Sequence, residues 1–155
     1  MGSLSKINRA YIAGFLDGDG SLMMQIKKRS DNAKTRFMLT ICFYQDSRHA
    51  KPLSWIRKIL GIGYLSKRND NITELRINGY QQVARILEAL MPFIKFKKIQ
   101  AKSILRSARL LQKKKIARRD LQKLTGYMLE IQSENYVTKR KKTKAEILKI
   151  LGLTP

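Results

Sequence analysis

The chain has little with which to staple or anchor itself. Cys42 is the single cysteine and His49 the single histidine in 155 residues, which excludes an internal disulfide framework and any ordinary Cys/His zinc site. Acid is scarce too: 11 Asp and Glu stand against 33 Lys and Arg, a formal net charge of +22. So large an excess opposes compaction unless a polyanion shares the surface, and nucleic acid is the leading partner. No apolar run approaches the roughly 20 residues of a membrane span, and the start, MGSLSKINRA, holds no apolar signal core. Lys6 breaks the myristoylation pattern, and residues 1–6 read as a disordered or vector-derived lead. These absences point to an intracellular or organellar protein with no membrane partner, and the length suits one domain.

What is present is a hydrophobic period that changes several times. Ile7 to Asp17 reads as a helix, capped by Asn8, with Tyr11, Ile12, Phe15 and Leu16 at three- and four-residue spacing and glycines to stop it. From Ser21 to Arg29 the period becomes two: Leu22, Met24 and Ile26 point one way, Ser21, Gln25, Lys27 and Arg29 the other. After the polar loop SDNAK, Phe37, Leu39, Ile41 and Phe43 alternate with Arg36, Thr40, Cys42 and Tyr44, which completes a hairpin. A helix is expected over Ser47 to Leu60, ending at Gly61, and then a second hairpin around NDN at 69–71. Its outward set is Tyr64, Ser66, Arg68, Glu74, Arg76 and Asn78; Leu65, Leu75 and Ile77 point inward. Gly79 to Leu90 is helical and stopped by Pro92. Three more helices follow near 97–114, 118–134 and 143–151, the last opened by the capping box TKAE and closed by Gly152. The fold class is α+β, in the manner of a doubled α-β-β unit with extra C-terminal helices.

Each strand has an apolar face for helices to cover and an opposite face of long polar side chains able to hydrogen-bond base edges. Such a β-ribbon fits a major groove; the plain alternative is an ordinary solvated face. Few aromatics cluster there, which argues against an RNA stacking platform. The charge runs KKKIARR at 113–119 and KRKKTK at 139–144 are either solvated faces or holders of backbone phosphates.

One stretch stands apart from this basic background. YIAGFLDGDGS, Tyr11 to Ser21, sets two aspartates and three glycines behind an apolar run. On its own a turn-forming Asp-Gly is commonplace. Yet IAGFLDGDG at Ile12 to Gly20, Phe43 with Gln45, LGIGYL at 60–65, PFIKFKKIQA at 92–101 and the basic TKRKKT together cover most of the chain. In these segments the chain resembles the LAGLIDADG homing endonucleases, in their single-motif homodimeric branch.

That resemblance implies an αββαββα fold whose one-sided antiparallel sheet forms a saddle on double-stranded DNA. It implies a homodimer whose motif helices pack side by side, and Ala10, Ala13 and Gly14 are small enough to let two backbones approach. Asp19 is implied as the metal ligand with the Gly18 carbonyl beside it, for Mg²⁺ with Mn²⁺ or Ca²⁺ substituting in binding, and no organic cofactor. Asp17 is assigned a structural role. Gln45 is implied to position water and Lys97 to stabilise transition-state charge, while the family's basic catalytic-shell position falls near Arg48 or His49. DNA contacts fall to Gln25, Lys27, Arg29, Arg36, Thr40, Tyr44, Ser66, Arg68, Glu74 and Arg76 on the sheet, and to Lys139, Arg140 and Lys141 in the tail. The implied activity is site-specific double-strand cleavage of a long pseudo-palindromic site with staggered 3′ overhangs, in an intron-encoded protein of chloroplast or mitochondrion. An RNA maturase and a catalytically silent DNA-binding regulator are the competing functions.

Overall fold

The computed structural model describes residues 4–28, 35–135 and 141–153. Helix α1 (Lys6–Asp19) is capped by Ser5, whose Oγ accepts the Asn8 N–H at 3.1 Å. The cap therefore precedes Asn8, because a serine hydroxyl reaches the third helical amide and adds a turn to the helix. Leu4 packs against the core and Lys6 opens α1.

The chain passes from α1 into strand β1 (Gly20–Lys28) without a loop. Gly20 is extended at φ −125°, a conformation open to any residue. Space is what demands glycine here, since a Cβ would lie 2.8 Å from the Leu16 carbonyl oxygen and 2.9 Å from its Cα. The other strands are β2 (Thr35–Asp46), β3 (Tyr64–Lys67) and β4 (Ile72–Asn78), in the sheet order β1-β2-β4-β3 with every pair antiparallel. Of the expected first strand, Arg29 lies outside the described residues.

The segment after β2 differs from the single helix expected over Ser47 to Leu60. A 3₁₀ turn at Ser47–His49, capped by Asp46, precedes helix α2 (Lys51–Leu60). Pro52 sits in the first turn of α2, where its missing N–H costs nothing, and so it marks the helix start. Gly61 ends α2 in the left-handed region at φ 71°. Helix α3 (Tyr80–Leu90) leads into a 3₁₀ turn at Met91–Phe93, and helices α4 (Lys98–Leu111), α5 (Arg118–Glu134) and α6 (Lys144–Ile150) complete the chain. Of the capping box expected for α6 the N-cap half is in place, Thr143 Oγ1 accepting the Glu146 N–H at 3.2 Å, while the Glu146 carboxylate accepts from the Thr143 hydroxyl at 3.3 Å.

The helices cover one face of the sheet. Leu22, Leu39, Ile41, Phe43, Leu75 and Ile77 meet Ile12, Leu16, Leu53, Ile56, Val83, Leu87 and Ile104 in one core, and each fully buried aliphatic contributes about 1.5–3 kcal/mol relative to exposure. Leu65 breaks the expected pattern at 36% exposure. It lies on β3, a four-residue edge strand with a neighbour on one side only.

Candidate active site at the end of the first helix

Two aspartates separated by one residue have opposite circumstances. The Asp17 carboxylate accepts the backbone N–H of Lys95 at 2.6 Å, of Phe96 at 3.0 Å and of Lys97 at 2.9 Å. Lys97 returns the contact, its Nζ donating to the Asp17 carbonyl oxygen at 2.6 Å. Burial raises the Asp17 pKa, but the three N–H donors and the Lys97 charge outweigh it and hold the carboxyl below its ordinary value. Asp17 thus ties the last turn of α1 to the start of α4, a structural role.

Asp19 is exposed on the wall of an open cleft of about 540 Å³, with Gly18, Ser21, Tyr44, Arg68, Lys97, Gln100 and Asn135 among its lining. Burial pushes Lys97 below the usual lysine range, while the Asp17 and Asp19 charges pull it back up. A carboxylate at a helix C-terminus sits in an unfavourable field until a cation arrives. The sequence expectation for Asp19 and Lys97 therefore meets in one cleft, on backbone that Asp17 holds.

Gln45 lies elsewhere. Its Oε1 accepts the Asp46 N–H at 2.9 Å, it pairs across the sheet with Thr73, and it does not line the cleft. Strand alternation explains this: Tyr44 points to the cleft side, and its neighbour takes the opposite side. Arg48 and His49 are exposed on the 3₁₀ turn, and Arg48 is spent on Asp46 at 2.9 Å. Among the described residues no three Cys, His, Asp or Glu side chains gather around a point. The donors the cleft does offer, one carboxylate and helix-end carbonyls, are hard oxygens, and Mg²⁺ is commonly held by one or two carboxylates completed by water and phosphate.

The sheet face away from the helices carries the expected polar residues in cross-strand rows. Lys27 stands opposite Arg36, Gln25 opposite Met38, and Cys42 between Ser21 and Arg76. Gln25, Lys27, Arg36 and Lys141 are exposed, and Ser66 is half-buried. Tyr44 is half-buried with its hydroxyl on Ser21 Oγ at 2.9 Å, and burial pushes its pKa up to about 12. Two expectations need correction. Thr40 is fully buried, flanked by Met23 and Asn78 on the central strand, and its hydroxyl is committed to Asn78 Oδ1 at 2.7 Å, so it offers nothing to a groove. Glu74 is enclosed by Arg76, whose Nε donates at 2.8 Å, and by Arg68, whose Nη1 donates at 3.3 Å; it orients two arginines and is itself covered. Lys139 and Arg140 lie outside the described residues.

The small-residue face of α1 also needs one change. Ala13 is fully buried in the chain's own core, because it shares the inward side of the helix with Ile12 and Leu16. Ala10, Gly14 and Gly18 are the exposed small residues, spaced by four, and a Cβ at Gly14 or Gly18 would meet nothing within 4 Å. Gly14 therefore relieves no crowding inside the chain. Ile7 and Tyr11 flank this stripe at 80% and 51% exposure, and Tyr11 packs edge-on against Trp55.

Gln100, Asn135 and the cleft position of Arg68 escaped sequence reading. A signal existed for Gln100 alone, a polar residue at core spacing with Ile104, Ala108 and Leu111 in α4.

Comparison with known proteins gives the family and the fold. Residues 12–117 match the family model described as LAGLIDADG endonuclease. The chain is 39% identical over 99 residues to DNA endonuclease I-CvuI of Chlorella vulgaris, a match covering 62% of this chain and 60% of the relative. It is 32% identical over 97 residues to DNA endonuclease I-CreI of Chlamydomonas reinhardtii, covering 62% and 59%. The matches thus span about three-fifths of the length of these curated relatives. In three dimensions the chain is similar to I-CvuI crystallised with a DNA target in the presence of 2 mM Mg, with a TM-score of 0.80 at 28% identity over 95% of this chain and 94% of that one. The archaeal intron-encoded homing endonuclease I-Vdi141I, complexed with DNA, has the same fold at a TM-score of 0.79 and 22% identity, over 94% and 95% of the two chains.

Proposed function

Because the chain belongs to the LAGLIDADG endonuclease family, we propose that it is a homodimeric, site-specific double-strand DNA homing endonuclease. It hydrolyses phosphodiesters in a long pseudo-palindromic site to leave staggered 3′ overhangs, one subunit reading each half. The observation that carries this reading is the division between the two acids: Asp17 is consumed in holding Lys97, and Asp19 is left exposed beside that lysine in an open cleft. A DNA-binding regulator has no need of such a pair.

The exposed Ala10, Gly14 and Gly18 stripe supports a second copy packed along α1. Association there brings two Asp19 carboxylates together, which supplies the second acid that one chain lacks. Asp19 and the Gly18 carbonyl would hold Mg²⁺, which when bound would supply Lewis-acid polarisation of a phosphoryl group and activation of water. Lys97, its ammonium steadied on the Asp17 carbonyl, faces the cleft as a compact cation where negative charge develops. Gln45 enters as a water-positioning group only by releasing the Asp46 N–H.

Specificity comes from Gln25, Lys27, Arg29, Arg36, Arg68 and Arg76 against base edges, and Lys139, Arg140 and Lys141 hold backbone phosphates. An intron-encoded, organellar setting fits this activity. The test is direct: incubate the purified protein with Mg²⁺ and a randomised duplex library, then sequence the ends produced. Recovered 3′-overhang ends around one pseudo-palindrome are expected, and no ends above background would sink the reading.

A further inference from the structure

Gln100 is a cleft residue whose burial the fold alone does not justify. It is 4% exposed in the first turn of α4, where Ala101, Ile104 and Ala108 are fully buried. It lines the Asp19 cleft beside Lys97 and Asn135. Its Nε2 donates to Asn135 Oδ1 at 3.5 Å, the outer limit of a hydrogen bond, and its Oε1 has no partner among the described residues. The other buried polar residues of α4 are satisfied: Ser103 donates to Glu130, and Ser107 donates to the Ser103 carbonyl at 2.8 Å. A buried acceptor without a donor is unfavourable, and a leucine of similar volume would fill the space without that burden. An orphan acceptor beside an exposed acid and a half-buried lysine points to a donor that arrives with the substrate.

We propose that Gln100 is a positioning residue for the reaction. The terminal torsion of glutamine is broad, and among the described residues the hydrogen bond this carboxamide makes is the long one to Asn135. Its Oε1 turns to accept a hydrogen bond from a water lodged between Asp19 and Lys97, and so fixes where that water lies relative to the scissile phosphate. This inference rests on the nuclease reading given above. It differs from the role assigned to Gln45, which sits off the cleft on the other side of its strand.

The experiment uses the full-length chain and a duplex recovered from the randomised library. Wild type, Gln100→Leu, Gln100→Glu and Asp19→Asn are compared in three measurements: thermal midpoint without metal or DNA, duplex affinity in Ca²⁺, and single-turnover cleavage in Mg²⁺ as a function of pH. Gln100→Leu should keep or raise the thermal midpoint, keep duplex affinity, and slow cleavage by roughly 10–100-fold, the usual range for a group that orients a reactive shell. Gln100→Glu retains the acceptor and should restore most of the rate with an altered pH profile. Wild-type cleavage by Gln100→Leu overturns the assignment. So does a parallel fall of thermal midpoint and affinity in that variant, which would make Gln100 a packing residue. If Gln100→Leu does not fold, Gln100→Met, unbranched and of matching length, takes its place with the same two overturning results. Failure of wild type to cut any duplex is a separate result, and it removes the nuclease reading beneath the inference.

Discussion

The two faces of the one sheet are built from the same strands and obey different rules. On the helix side Leu22, Leu39, Ile41, Phe43, Leu75 and Ile77 are at most 1% exposed and belong to one apolar core. On the other side Lys27 stands opposite Arg36, and Glu74 gathers Arg76 and Arg68, of which Arg68 lines the Asp19 cleft. The first face is interchangeable chemistry, since any side chains of matching volume would hold the fold. The second is specific chemistry: Arg68 both pairs with Glu74 among the sheet arginines and lines the cleft of the reactive acid. Under the proposed function Arg68 would therefore serve recognition and reaction together, while the apolar core behind it holds the fold.

Mutations that strike one face and spare the other test this separation. The largest effect on function is expected from Asp19→Asn, which should abolish Mg²⁺-dependent nicking of supercoiled DNA while leaving the thermal midpoint and duplex binding unchanged; nicking at the wild-type rate would remove Asp19 from the mechanism. Ile41→Ala should do the reverse, costing about 2–5 kcal/mol in urea melts without altering which ends the enzyme generates. Asp17→Asn should cross the boundary. It weakens charge-assisted hydrogen bonds worth about 1.5–3 kcal/mol and loosens the 95–97 backbone that carries Lys97, so stability and cleavage should fall together.

The Asp17 contribution also has a pH signature. Its folded pKa lies below the ordinary carboxylate value, so this stabilisation is complete above the unfolded pKa of about 3.9. It disappears as pH falls through the lowered folded value. Wild type should lose more stability than Asp17→Asn on acidification below that range, and parallel pH curves for the two would disprove it.

A subtler effect is expected on the polar face. Arg76→Ala should relax base preference at one position per half-site by about 1–3 kcal/mol, read as a broadened cleavage profile on the randomised library. Smallest for the isolated chain is Gly14→Leu. With nothing within 4 Å of the new Cβ, the monomer should be unchanged or stabilised by up to about 1 kcal/mol, yet sedimentation should show weakened association. Dimers as tight as wild type would move the subunit contact away from this face.

Most of the architecture was legible in advance because it depends on local period and local caps. The alternation in β1 and β2, the Gly61 stop and the Thr143 N-cap each require only neighbours in sequence. The errors share one cause. Thr40 reads as an outward residue by alternation, but β2 is the central strand, and its cross-strand neighbours seal it. Ala13 reads as an interface residue by size, but the angle around the helix places it inward. In each case the residue type was informative, and its direction depended on partners far along the chain.

By itself, the amino-acid order determined the polyanion-seeking charge, the α+β plan, the acid at the end of the first helix and the lysine segment downstream. Only tertiary structure decided how those pieces work as a unit. It brought residues 95–97 onto Asp17 across almost eighty positions of chain, left Asp19 open beside Lys97, and closed the cleft with Gln100 and Asn135. The physical reason is reach: periodicity and capping act over one or two turns, whereas a carboxylate chooses its donors among whatever the folded core delivers within about 3 Å.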